Sequence, residues 1–176
     1  MSDLVGVFSS ADDLDFLSTC GNHPAIAALV GAGGSSPISA NSACLVRVKA
    51  PRSITVAKLV WIASTQSGNY DIGLYDNAGG RLWSKGSTAS PTSGTITETV
   101  SPAVVIPKGS VFHVAIAADN ATATFRGVTL ASAEITKTLT GIPSAVTVAA
   151  SFPLPATITI GTTTVTRNPL VVIREA

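Results

Sequence analysis

Charge is scarce in this 176-residue chain: 12% of its residues are Asp, Glu, Lys or Arg, against roughly 25% in an average soluble protein. Aromatic residues make up 5%, and the chain has two cysteines, two histidines and one methionine. Each scarcity excludes something. Cys20 and Cys44 cannot make a disulfide framework and read as free thiols. No apolar run approaches the ~18 residues needed to span a bilayer, and the longest candidate, Val111 to Ala118, is strand-like in length and contains His113. Met1-Ser2-Asp3-Leu4 lacks the basic-then-apolar order of a secretory signal, so the expectation is a protein made and folded in a cytoplasm, with no membrane partner. The basic residues are too dilute, and too poor in stacking aromatics, to form a nucleic-acid site.

What the chain does have is apolar bulk. Hydrophobic residues reach 45% in 17.7 kDa, enough for one domain with a single core. So few charges leave little with which to cover the outside, and the expectation is a homo-oligomer with an uncharged interface. The competing reading is that Thr, Ser, Gly and Ala supply the polar surface. Residues 1–40 hold Asp3, Asp12, Asp13 and Asp15 and no Lys or Arg, a charge of −4; the remainder holds 11 basic and six acidic groups, +5. Opposite charges steer association, so an acidic arm can lie on a neighbouring basic body; a solvated tail is the alternative.

Residues 1–42 read as that arm and 43–176 as a β-sandwich domain. In the arm, Ser10 with Asp13 resembles a helix N-cap, and Leu14 and Leu17 with Gly21 beyond complete about two turns. Pro24 to Val30 gives a second short helix, and Gly31 to Pro37 a flexible linker. Neither helix is long enough to stand alone in water. Leu14, Phe16, Leu17, Ile26, Leu29 and Val30 are the apolar groups with which the arm would bind a partner.

From Ala43 the pattern alternates. Cys44, Val46 and Val48 fall on one face, with Leu45, Arg47 and Lys49 on the other. Strands are expected at Ile54 to Ser64, Tyr70 to Tyr75, Arg81 to Ser84, Thr95 to Val100, Val104 to Ile106, Val111 to Ala117 and from Thr122 to Leu130. Further strands are expected at Val146 to Ala150, at Thr157 to Ile160 hairpinned through Gly161-Thr162 to Thr163 to Thr166, and at Leu170 to Arg174. Asp76-Asn77-Ala78-Gly79-Gly80 reads as a hairpin turn, having too few acidic groups for a calcium loop. Val111 to Ala117 is apolar on both faces, as a central strand covered twice would be. Short strands at this spacing predict an all-β, antiparallel, jelly-roll-like sandwich. Val46, Val48, Trp61, Ile72, Leu74, Phe112, Val114 and Ile116 should lie inside it.

Residue types that carry chemistry are thinly spread. His113 reads as a core or interface histidine, and Cys20 with His23 is at most half a metal site. Asp71 and Asp76, five apart in a strand, fall on opposite faces and make no acid–base pair. No nucleophile elbow, phosphate loop or zinc-protease motif is present. The expectation is a protein that is not an enzyme and that takes no metal and no cofactor. Trp61, Tyr70, Tyr75 and Trp83 cluster within 23 residues; alternation points Tyr75 outward, as a possible glycan contact, while the Trp residues fill the sandwich.

The block Gly68-Asn69-Tyr70-Asp71-Ile72-Gly73-Leu74-Tyr75-Asp76-Asn77-Ala78-Gly79-Gly80, then Ile106-Pro107-Lys108-Gly109-Ser110 and Val111 to Asn120, resembles the β-sandwich virion proteins of tailed bacteriophages, in their head-decoration and fibre modules. The likeness covers roughly residues 54–130 and lies in strand order and composition. It implies a structural or adhesive role on a virus particle, usually as a trimer, with no catalytic residues. Two functions follow: a capsid decoration or cement protein clamping neighbouring major capsid protein subunits at the virion surface, or a tail- or fibre-associated module recognising a host glycan.

Overall fold

The computed structural model describes residues 16–18, 35–37, 39–65, 67–91, 93–129, 145–149, 151–161 and 167–175. The described residues contain strands and turns and no helix, and so no helix long and apolar enough to cross a membrane. The strands are β1 (Phe16–Ser18), β2 (Ser35–Pro37), β3 (Ser42–Lys49), β4 (Ile54–Thr65), β5 (Asn69–Asp76), β6 (Arg81–Ser84) and β7 (Thr88–Ala89). They continue with β8 (Gly94–Ile106), β9 (Val111–Ala118), β10 (Thr124–Thr129), β11 (Ala145–Val148), β12 (Arg167–Pro169) and β13 (Val171–Glu175).

Two antiparallel sheets result. The first runs β11-β3-β9-β5-β6, with β7 beside β5. In the second, β4 is the spine: β13 and β8 flank it on opposite edges, since Lys58 pairs with both Arg174 and Thr99. β10 continues along β4 at Ala63 and Thr65 and pairs with β2 and β12, while β1 closes the far side of β13. The Arg52 guanidinium, in the turn before β4, forms a two-pronged ion pair with Glu175 at the end of β13, at 2.7 and 2.8 Å.

Alternation decides which side chains meet between the sheets. Cys44, Val46 and Val48 of β3, Tyr70, Ile72 and Leu74 of β5, and Phe112, Val114 and Ile116 of β9 face Val56, Leu59 and Trp61 of β4, Val100 of β8, Phe125 of β10, and Val171 and Ile173 of β13. The eight residues expected inside are all buried there. Trp61 is the centrepiece: its ring centroid stands 4.9 Å from that of Tyr70 and 5.3 Å from that of Phe125, both tilted, an arrangement aromatic pairs favour.

Three expectations are corrected. Thr95 to Val100 and Val104 to Ile106 are one strand, β8, whose register against β4 jumps so that residues 100–103 stand opposite Ala57 alone. Thr157 to Ile160 is not a strand: only an isolated bridge, Thr157 with Gly80, joins it to a sheet. Its expected partner, 163–166, lies outside the described residues. Leu17, expected in a helical turn, lies in β1, because the edge of β13 offers it a row of backbone partners; the linker's end, Ser35–Pro37, likewise pairs with β10. The remaining helical calls, at 10–15 and 24–30, lie outside the described residues.

Truncating Trp61 to Ala would remove the largest buried side chain and leave a cavity that strands on both sheets cannot close. The expected loss is about 3–5 kcal/mol, read from denaturant unfolding. Leu82→Ala, at a side chain 41% exposed, should change stability by no more than about 0.5 kcal/mol.

Candidate functional site

The outer face of the first sheet carries an apolar patch of its own among polar neighbours. Ala43 and Leu45 of β3, Ala115 and Ala117 of β9, Tyr75 of β5 and Val146 of β11 form a second cluster, sealed by Leu154 and Ile158. Those two residues belong to a strap, residues 151–161, that crosses the face without joining its ladder. Pro153 and Pro155 keep the strap out of regular pairing, since proline has no amide to donate.

A polar clamp fastens the strap. Asp71, fully buried on β5, accepts hydrogen bonds from the Leu154 amide at 3.0 Å, the Gly86 amide at 2.9 Å and the Ser84 hydroxyl at 3.2 Å. The Arg81 guanidinium donates to the Leu154 carbonyl, and the Tyr75 hydroxyl donates to the Pro155 carbonyl at 2.7 Å. Backbone bonds extend the line: Arg81 N to Ala156 O and Ile158 N to Gly79 O, both 2.9 Å. Two glycines make room. A Cβ on Gly73 would stand 2.9 Å from the Leu154 side chain and 2.7 Å from the Trp83 carbonyl. One on Gly79, at φ +89°, would stand 2.0 Å from the Ile158 carbonyl.

Burial pushes the Asp71 carboxyl above its ordinary range, against the opposing pull of the two amides, Ser84 and Arg81. Burial also pushes the Tyr75 hydroxyl up to about 12, with Arg81 working against the shift and Asp71 with it. His113 stands between Arg47 and Tyr75 in the β3–β9–β5 register. Burial lowers its pKa, a hydrogen bond to the Asp76 backbone opposes this, Arg47 adds to it and the Asp76 charge opposes it. The ring Nδ1 is buried with no hydrogen-bond partner.

A second polar group ties the sheets together. Tyr70 of β5 donates its hydroxyl to Glu98 Oε1 of β8, and Lys85 Nζ lies 3.0 Å from Glu98 Oε2. Burial first, then the hydrogen bond and charge of Glu98, hold the Tyr70 hydroxyl well above its usual range. Cys44 is a free, buried thiol pushed up to about 12 by desolvation, which keeps it protonated and unreactive. An open polar cleft of about 400 Å³ lies at the end of β4, lined by Ser64, Thr65, Ser93, Gly94 and Arg126 among others. Among the described residues no three of His, Cys, Asp and Glu are placed to hold a metal ion.

Of the residues expected to bind partners, Leu14, Ile26, Leu29 and Val30 lie outside the described residues. Phe16 and Leu17 sit in β1, in register with Arg174 and Ile173. Tyr75 requires correction as a glycan contact: it does leave the inner face, as alternation requires, but the strap covers it completely. Trp61 fills the core and Trp83 packs against it from a half-buried position, so the aromatic cluster serves the sandwich. The clamp at Asp71 was missed. Its signal was the apolar character of β9 on both faces, which calls for a second cover.

Asp71→Ala would leave the Leu154 and Gly86 amides without their acceptor, at about 1–3 kcal/mol for each buried donor. Hydrogen exchange should show the loss of protection concentrated in residues 151–161 rather than spread over β3 and β9. His113 gives a pH dependence of definite sign. Its folded pKa lies below the ordinary histidine value of about 6.5, so the unfolded chain takes up the proton first and stability falls as pH drops below about 6.5. The fall is bounded at about 1.4 kcal/mol per pH unit. Asp71, titrating above its unfolded value, acts in the opposite sense, so the check is the stability difference between wild type and His113→Gln from pH 7.5 to 5.5. That difference should shift against the wild type as acid is added.

Compared with known proteins, the chain matches no family model and no curated protein in sequence.

Proposed function

We propose that the chain is a non-enzymatic structural subunit of a virus particle, a capsid decoration protein that binds across neighbouring major capsid subunits and stabilises them. Its sandwich is read as jelly-roll-like, because successive strands change sheets: β3 lies in the first, β4 in the second, β5 to β7 in the first, β8 in the second, β9 in the first and β10 in the second.

The observation that carries the reading is how charge is distributed. Among the described residues, every charged side chain that is exposed is basic: Lys49, Lys58, Arg81, Lys85, Lys108 and Arg174. Asp71 and Glu98 are buried, and Asp76, Asp119 and Glu175 are half-buried. The rest of the exterior is largely Ser, Thr, Ala and Pro. A body whose outward charge has one sign suits an acidic partner surface, and the chain carries an acidic segment in its first 15 residues. In this reading the stretches of residues 1–42 outside β1, β2 and β3 anchor the subunit in a homotrimer and on the capsid, with Leu14, Ile26, Leu29 and Val30 as the apolar groups buried there. The alternative, recognition of a host glycan from the tail, rested on the aromatic cluster of Trp61, Tyr70, Tyr75 and Trp83, whose outward-pointing member, Tyr75, lies beneath the strap.

The test is where the protein resides and what it assembles into. Light scattering at micromolar concentration should give a trimer, and deletion of residues 1–34 should leave a folded sandwich that no longer trimerises. An antibody against the chain, applied to particles purified from infected cultures, should label the head surface. Label confined to the tail would favour the glycan-binding alternative, and particles without label would overturn the virion reading.

A further inference from the structure

Among the described residues β8 presents a free edge. Its residues Gly94 to Thr99 pair with Ala63 to Lys58 of β4 on one side, and among the described residues no strand pairs with the other. Every second backbone N–H and C=O along this edge therefore points away from the sheet. Soluble proteins guard such edges with lysine, proline, bulges or short strands. Among the described residues the other edges are guarded in that way: β1 and β12 span three residues, β11 spans four, and β6 carries Arg81 and is held by the strap at Ala156. The bulge at residues 100–103 and Pro102 protect only the far half of β8.

Among the described residues no strand, proline or bulge protects the near half, and no charged side chain of β8 itself projects from it. Thr95, Thr97 and Thr99 point outward and are exposed, while Ile96, Glu98 and Val100 point inward. Glu98 is the single charged residue between Gly94 and Ile106; Tyr70 engages it in the interior, and Lys85 reaches it from a solvent-exposed position. A row of three threonines with no projecting charge is self-complementary, since cross-strand Thr–Thr pairs are favourable and like charges opposite one another are not.

We propose that Gly94–Val100 is an assembly edge at which a second copy of the chain adds its own β8, antiparallel, across a twofold axis at Thr97. The register follows from the pleat. Opposed residues of an antiparallel pair share a face, so outward Thr must meet outward Thr. An axis at Glu98 would set two carboxylates opposite one another. An axis at Ile96 would pair only residues 94–98. An axis at Thr97 pairs all seven residues, with Thr95 facing Thr99 and Ile96 facing Glu98. The contact is independent of the virion reading and of a threefold interface, because it joins copies in pairs through a different surface.

Cysteine substitution tests this register on the full chain. Cα atoms opposed across an antiparallel pair lie about 4.5–5.5 Å apart, within disulfide reach. Thr97→Cys should therefore give a disulfide-linked dimer under mild oxidation that the wild type, with Cys20 and Cys44, does not. Thr95→Cys should not cross-link, because its own copy stands four residues away, about 13 Å along the strand. Thr97→Lys, at an exposed position that leaves folding intact, should weaken the paired state by tenfold or more in sedimentation equilibrium. Equal cross-linking of the two cysteine variants, or an unchanged association constant for Thr97→Lys, would overturn the proposal. So would a wild type with no paired state at tens of micromolar.

Discussion

The cover over the outer face of the first sheet depends on one buried carboxylate. Asp71 lies within the ladder of the first sheet and accepts hydrogen bonds from two loops that the ladder itself cannot hold, at Gly86 and Leu154. Without a second cover, Leu45, Tyr75, Ala115 and Ala117 would face water across the middle of the sheet. The strap supplies that cover, but Pro153 and Pro155 deny it the regular backbone donors and the periodicity of a strand. Side-chain acceptors and the narrow clearance over Gly73 do what a β-ladder does elsewhere. A charge in such a place is costly unless every lone pair is engaged, and the raised Asp71 pKa is the visible part of that cost.

The tie between Tyr70, Glu98 and Lys85 works under a different constraint. It crosses from one sheet to the other, and its cation keeps contact with solvent: the Lys85 side chain is 39% exposed, the Glu98 side chain 7%. Buried ion pairs contribute little net stability, since desolvation cancels much of the attraction. Apolar contacts around Trp61 supply the cohesion; the polar tie selects a geometry. A sandwich in which β8 slipped by one residue along β4 would turn Glu98 out and Thr97 in, leaving the Tyr70 hydroxyl without its acceptor.

The inner core was legible because alternation is a local signal. Val46, Val48, Ile72 and Leu74 could be assigned to one face from their own strands alone. The same signal placed Tyr75 on the opposite face correctly and yet gave no access to its burial. What covers Tyr75 comes from Leu154 and Pro155, 80 residues later, in a segment whose prolines erase any period. The union of β8 across its bulge was hidden for a related reason: Ser101-Pro102-Ala103 reads as a break, and only the pairing of Val104 with Val56 shows that the same two strands resume. Sequence periodicity reports which way a side chain points. It does not report what a distant segment places on top of it.

That limit also bears on assembly. Exposed charges of one sign repel identical bodies at long range, although salt confines the effect to about 8 Å under physiological conditions. Two copies therefore associate only where short-range complementarity exceeds the residual repulsion, or where an oppositely charged element intervenes. The chain holds both means in separate places. The β8 edge carries no outward charge and offers backbone hydrogen bonds at close range, whereas Asp3, Asp12, Asp13 and Asp15 lie in a segment without a single basic residue. Edge pairing would respond weakly to ionic strength and strongly to a single lysine at Thr97. Contacts made by the acidic segment would do the reverse. The two modes are thus separable by salt alone, and a subunit that uses both can meet its own copies and an oppositely charged partner through interfaces that do not compete.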